Sequence, residues 1–237
     1  MAVYLLNNEL IFPNPSHAGS DGLLAIGGSL QPDRILLAYQ SGIFPWYGPD
    51  DPIMWWSPDP RCLLPAKDVK ISKSMRNVLN RSTMRCTLDN EFEQVVRECQ
   101  LAKRREKGTW INEEIIEAYT ELHALGMAHS VEVWEDGQLI GGLYGVSLGR
   151  MFFGESMFSK RSNASKVALV KLCNFISEQG FEWIDCQMYT QHLGTLGAIM
   201  KTRVEFTQIL ESSLDHDTLK GKWRFATQPV TDQHLVL

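Results

Sequence analysis

Between His129 and Ser159 the chain carries three strand-like runs separated by two turn signals, and this stretch restricts the possible folds more than any other. HSVEVW is followed by Asp136-Gly137, LIGGLYGVSL by Gly149-Arg150, and MFFGESMFS closes the series. Asp-Gly between apolar runs marks a tight hairpin, because both central positions of that turn need a positive φ. The three runs predict an antiparallel meander. A helix from about Ser165 to Gln179, stopped by Gly180, leads into FEWIDCQMY as a further strand, then a short helical stretch and a final strand near Arg203 to Phe206. This order predicts an α+β fold with a mixed sheet layered with helices.

Upstream, the first sixty or so residues are rich in Pro, Gly and Trp and weakly periodic, which predicts a small amino-terminal lobe over residues 1–62 ahead of the sheet domain at 63–237. One helix is expected there from Pro32 to Gln40, with proline in the first turn and Gly42 as terminator. From Val69 onward, Ile71, Met75 and Val78 recur at helical spacing while Lys70, Lys73, Arg76 and Arg81 gather on the other side, an amphipathic helix with a basic face. Helices from Glu91 to Ala102, and from an Asn112 cap to Gly126, complete a set of three before the first clear strand.

With 237 residues, 44% hydrophobic and 22% charged, the chain has the composition of an ordinary globular protein. Its five cysteines are scattered and never spaced C-x-x-C, so neither a disulfide framework nor a metal site is expected, and a reducing cytoplasm suits them. No signal peptide or membrane-length apolar run is seen. The net charge of -5 argues against a polyanionic partner, but its distribution does not. Lys67, Lys70, Lys73, Arg76, Arg81 and Arg85 face a single nearby acid, Asp68, and Lys103, Arg104, Arg105 and Lys107 follow. Such a local basic footprint is either a solvated face or a phosphate-binding one.

Meander, helix, strand is the skeleton of an N-acetyltransferase-like domain, whose usual members hold a CoA pyrophosphate on a glycine-rich turn at the helix amino terminus. Here that turn reads SKRSNASKVAL and contains no glycine, which removes the main support for a CoA-dependent acyltransferase. Longer strings are more specific. FPWYGPDDPIMWWSPDPR, GTWI at 108–111, HSVEVW, FFGESMFS with the following NASK, and IDCQ together resemble the leucyl/phenylalanyl-tRNA-protein transferases over nearly the whole chain. The resemblance implies transfer of Leu or Phe, with Met as a further donor, from aminoacyl-tRNA to proteins with amino-terminal Arg or Lys. It also implies a cytoplasmic monomer that marks its acceptors for degradation and needs no cofactor, since the ester is already activated. A noncatalytic tRNA-binding module is the rival from another class.

The same resemblance assigns residues. Tyr39, Trp46 and Trp110 would line a cleft for the terminal adenosine, where aromatic faces stack a base. Trp55 and Trp56 read as packing between the lobes. Lys70, Lys73, Arg76, Arg81 and Arg85 would hold the acceptor stem through its phosphates. Leu143, Phe152 or Phe153, Leu169, Leu172 and Ile184 would form the apolar pocket, with Leu143 where the family often has methionine and Leu172 in place of a larger aromatic.

In WIDCQMY, strand alternation puts Asp185 and Gln187 on one face and Ile184, Cys186 and Met188 on the other, which speaks against Cys186 as a nucleophile partnered by His129 or His192. Glu155 interrupts an apolar strand, as Asp185 does, and a buried carboxylate needs a partner. A salt bridge would satisfy either one. The resemblance instead gives Gln187 the attacking amine to orient, Asp185 the task of polarising that relay and offering one exit for the proton, and Glu155 the acceptor's cationic residue.

Overall fold

The computed structural model describes residues 3–81, 83–102 and 109–226. Two sheets organise them. The smaller has strand order β1-β2-β4-β3, from β1 (Tyr4–Leu6), β2 (Leu23–Gly27), β3 (Phe44–Pro45) and β4 (Met54–Trp56), with helix α1 (Pro32–Gln40) between β2 and β3. The larger runs β11-β5-β10-β9-β8-β7-β6. Its strands are β5 (Arg61–Pro65), β6 (Arg85–Leu88), β7 (Ala128–Glu135), β8 (Gln138–Leu148), β9 (Met151–Ser159), β10 (Trp183–Asp185) and β11 (Ile199–Lys201). The remaining helices are α2 (Lys73–Arg81), α3 (Phe92–Leu101), α4 (Glu113–Ala124), α5 (Ala164–Glu178), α6 (Gln191–Thr195) and α7 (Arg203–Leu214). None is long and apolar enough to cross a membrane.

The meander is present as β7, β8 and β9, and α5 carries the chain over to β10, which lies parallel to β9 with Ile184 beside Phe152. This is an α+β order with a mixed sheet, antiparallel through the meander and parallel at β9–β10. Asp136 and Gly137 both adopt positive φ, 49° and 74°, as the hairpin requires. Pro32 opens α1 and Gly42 follows it at φ 73°, while the Asn112 side chain accepts from the Ile115 N–H and caps α4.

Four sequence expectations are corrected. The basic helix begins at Lys73 and not near Val69, because the Ser72 hydroxyl accepts from the Met75 N–H, and Lys70 spends its own N–H on the Leu196 carbonyl. Strands β5 and β6 lie ahead of and among the three helices; β5 is buried along Arg61–Leu64 between β10 and β11, so it lacks the alternation that marks a half-exposed strand. Arg203 to Phe206 is the first turn of α7, entered through a capping box between Thr202 and Glu205, and the final strand lies just before it. The run FEWIDCQMY is extended only over Trp183–Asp185, and Gln187 sits at φ 54°, outside the strand.

Both sheets share one core. Leu24, Tyr39 and Trp55 from the first part of the chain cluster with Val95, Tyr119 and Phe153 on one face of the larger sheet. On the other face α5 covers Leu143, Phe152 and Ile184 with its own Leu169 and Leu172. Trp55 is fully buried and donates its indole N–H to the Gly27 carbonyl, and Trp56 packs partly buried beside it.

Candidate active site

A cavity of about 280 Å³ opens between β8, β9, α5 and the segment after β10. Leu143, Phe152, Leu169, Leu172 and Ile184 line it, so the five aliphatic and aromatic positions read as a pocket are brought to one place. Phe153 is not among them. It points to the opposite face and packs on Tyr39 with ring centroids 4.9 Å apart.

Glu155 reaches the polar end of this cavity through a break in the strand register. Gly145 pairs with Gly154 and Tyr144 with Ser156, which leaves Glu155 as the extra residue of a bulge. The bulge reverses the alternation, so that Phe152 and Met157, five positions apart, both lie on the α5 side. One Glu155 oxygen accepts from the Tyr39 hydroxyl at 2.7 Å and from Gln187 Nε2 at 3.0 Å; the other accepts from the Tyr119 hydroxyl at 3.1 Å. The two hydroxyls are themselves 2.5 Å apart. Burial pushes the Glu155 carboxyl up to about 7, against the lowering effect of the tyrosine hydrogen bonds. Burial, then the Glu155 charge, also drives both tyrosines well above their ordinary value, so they remain donors.

Asp185 stands behind Gln187. Its two oxygens receive Arg61 Nε at 2.9 Å and Nη2 at 2.7 Å, with both side chains fully buried. The oxygen facing Nε also accepts the Gln187 main-chain N–H at 2.9 Å. Arg61 gives a further hydrogen bond to the Gly42 carbonyl and lies between the rings of Phe44 and Phe206, 4.7 and 4.6 Å from their centroids. Arg61 and Asp185 therefore hold Gln187 in its left-handed conformation through the main chain. The Gln187 amide must present its NH2 to Glu155, since an ionised carboxylate only accepts, and this leaves the amide oxygen as its acceptor atom.

Two assignments change. Tyr39 has no exposed surface, so it cannot stack a base in a cleft; it supports Glu155 from beneath. Asp185 is closed off from the cavity with both oxygens engaged, so it offers no exit for a proton. Trp46 is exposed, edge-on to Trp56 at 5.5 Å, and Trp110 is half-buried against the core; neither lines this cavity. Gly108 of GTWI and the basic residues Lys103, Arg104, Arg105 and Lys107 lie outside the described residues. Lys70, Lys73, Arg76, Arg81 and Arg85 are all exposed, with Met75 as the buried side of α2.

Cys186 lines the cavity with a thiol raised far above its ordinary value by burial, which keeps it protonated and unreactive. His129 is buried with Nδ1 2.8 Å from Asp89, and His192 lines the cavity with its pKa lowered by burial and then by Lys166. Tyr119 and Arg61 were missed as site residues. Tyr119 lies on the apolar stripe of α4, and Arg61 ends the string WWSPDPR with nothing nearby to name its partner.

A family model described as leucyl/phenylalanyl-tRNA protein transferase matches residues 63–211, and the model of that family's N-terminal domain matches residues 28–59. A leucyl/phenylalanyl-tRNA--protein transferase of Syntrophus aciditrophicus is 50% identical over 236 residues, covering 99% of this chain and 98% of the relative. One from Anaeromyxobacter sp. (strain Fw109-5) is 51% identical, covering 94% of this chain and 95% of the relative. Among solved structures, L-PGS from Bacillus licheniformis is 13% identical with a TM-score of 0.43, covering 81% of this chain and 72% of that one.

Proposed function

We propose that this chain, which belongs to the leucyl/phenylalanyl-tRNA protein transferase family, moves leucine or phenylalanine from the 3' ester of a charged tRNA onto the α-amine of a protein that begins with Arg or Lys. The observation that carries this reading is the joining of an apolar cavity to a Glu155–Gln187 pair at its polar end. The cavity takes the side chain of the activated residue. Gln187, with its NH2 committed to Glu155, offers its oxygen to the incoming amine and aims it at the ester carbonyl. Glu155, as the anion, holds the cationic first residue of the acceptor.

The amine attacks uncharged, the new C–N bond forms, the ester C–O bond breaks, and the amine's proton ends on the departing ribose oxygen. Nothing else is consumed, because the ester supplies the driving force. Gln187 is a poor base, so its part is orientation, and Arg61 and Asp185 are positioning residues that act through its main chain.

The exposed cations of α2 and its flanks, Lys70, Lys73, Arg76, Arg81 and Arg85, hold tRNA phosphates without regard to sequence, so selection rests on the attached amino acid. Trp46 and Trp110 serve the terminal adenosine apart from the side-chain cavity. The part of the chain ahead of β5 supports Glu155 through Tyr39, and the larger sheet, which begins with β5 and its Arg61, carries the transfer site. In the cytoplasm such a transfer marks proteins for degradation by changing their first residue. Incubation with charged tRNA and an Arg-initiated peptide tests the reading: the ester is consumed and the peptide lengthened by one Leu or Phe. Binding of tRNA without peptide extension would reduce the chain to a tRNA-binding module.

A further inference from the structure

The chain does not end its structured course at α7. Residues 215–226 run on as a strap pinned at three points. The Thr218 hydroxyl accepts from the Gly149 N–H at 2.8 Å, the Gly221 N–H bonds the Gly126 carbonyl at 3.1 Å, and the Trp223 N–H bonds Asp89 at 2.7 Å. The second contact demands glycine: at Gly126, φ 72°, a Cβ would lie 2.3 Å from the Gly221 nitrogen. Asp89, itself at φ 54°, also accepts from the Ser130 N–H at 2.8 Å and pairs with His129 Nδ1. The anchorage places Trp223, a residue 3% exposed, with its ring stacked on His129, centroids 3.6 Å apart and planes 6° from parallel.

Trp223 stands against the aromatic wall of the cavity. Its ring is 6.0 Å from that of Phe152, and Phe175 and Phe181 close round it at 5.1 and 6.0 Å. The Phe152 ring lies across the β8 backbone at Gly145, where a Cβ would come within 2.6 Å of its edge. Gly145 in turn pairs with His129 on β7, on which Trp223 is stacked. Phe152 thus has the cavity on one side and the Trp223–His129 stack beyond it. The strap lies past residue 211, where the family match stops.

We propose that Trp223 is a specificity-determining backstop: it fixes the depth to which Phe152 can retreat, and through it the balance between leucine and phenylalanine as donors. The proposal rests on the reading of the cavity as the donor pocket. Protein interiors tolerate little free volume, so a smaller residue at 223 lets Phe152 settle back and deepens the pocket for the longer aromatic side chain. The residue touches no substrate and acts through Phe152 alone.

The test is the ratio of kcat/KM for phenylalanyl-adenosine over leucyl-adenosine with an Arg-initiated peptide. A ratio taken within one preparation is independent of how much of the protein is folded, so a destabilised variant still reports. Trp223→Leu is expected to raise the ratio roughly tenfold, the low end of what one methylene is worth in an apolar pocket, and Trp223→Phe by about threefold. Leu169→Phe, which narrows the cavity directly, is the control and should lower the ratio. A wild-type ratio in both Trp223 variants, with a changed one in Leu169→Phe, overturns the strap's role and leaves the pocket standing. An unchanged ratio in all three removes the cavity as the donor pocket, and the backstop with it.

Discussion

Arg61 and Asp185 are 124 positions apart in sequence and meet side-on, through hydrogen bonds of 2.9 and 2.7 Å, with neither side chain exposed. The pair joins the entry into the larger sheet on β5 to the end of β10, and Asp185 holds the Gln187 main-chain N–H while the Cys62 N–H bonds the Gln187 carbonyl. Removing one partner of a buried pair leaves a charge in a medium that cannot solvate it, at a cost of about 3–5 kcal/mol. Asp185→Ala is expected to lose that much in denaturant unfolding and to lower turnover in the protein that remains folded, with tRNA affinity retained. Near wild-type stability in Asp185→Ala would show that the Arg61 charge finds water, and that the pair does not anchor the site.

A pH dependence follows from Glu155. Its carboxyl is raised from 4.5 to about 7 in the folded protein by burial, so the folded state holds this proton more tightly than the unfolded chain does. Its contribution to stability is complete below the unfolded value and is lost as pH rises through about 7. On the proposed role of Glu155, acceptor binding should run the other way, since only the ionised form pairs with a cationic residue. Between pH 8 and pH 6 acceptor affinity should therefore fall while the stability difference between wild type and Glu155→Gln shifts in favour of wild type. Parallel titrations of acceptor KM and of unfolding free energy for the two proteins measure both trends; an acceptor KM that is flat over this range removes Glu155 from acceptor recognition.

What was legible in the sequence was local. The cap at Asn112, the proline and glycine that bracket α1 and the Asp136-Gly137 hairpin follow from patterns a few residues long, while the lining of the cavity came from the family resemblance. What was not legible depends on pairing at long range. Tyr39 meets Glu155 across 116 positions, which turned an expected ligand contact into a buried support. The bulge at Glu155 exists only in the register of β8 against β9, and the choice between Phe152 and Phe153 waits on it. The capping box at Thr202 stands in the sequence as T-x-x-E, and the stretch Arg203 to Phe206 expected as a strand is the helical turn that this box opens.

The basic face predicts a salt signature. Each phosphate neutralised releases counterions, with a slope near 0.9 in log K against log salt per contact on a duplex. Charge reversal at Arg76 and Arg81 should weaken tRNA binding and flatten that slope by about one for each lost contact, while transfer from a minimal aminoacyl-adenosine suffers far less. Filter binding of charged tRNA over a salt series, with minimal-donor kinetics beside it, separates the two effects. Equal losses with both donors would mean that the helix supports the fold instead of the acceptor stem.

Gln187 and Glu155 share a 3.0 Å hydrogen bond, yet they are expected to fail differently. Gln187→Ala removes the group proposed to aim the amine and leaves the carboxylate in place, so the loss should appear in turnover, on the order of tenfold to a hundredfold, with acceptor KM little changed. Glu155→Gln keeps the shape and a hydrogen-bonding partner for Gln187 but removes the charge. A hydrogen bond to a charged group contributes about 1.5–3 kcal/mol, so acceptor binding should weaken by roughly ten- to a hundredfold while turnover at saturating peptide stays close to wild type. Replacing the acceptor's first residue with a neutral one should then cost the Glu155→Gln enzyme much less than it costs wild type, because the partner for that charge is already gone. Steady-state transfer with Arg-initiated and Gln-initiated peptides, for wild type and both variants, gives the full cycle. If wild type and Glu155→Gln discriminate between the two peptides equally, the charge at 155 does not read the acceptor, and orientation by Gln187 is all that the polar end of the cavity provides.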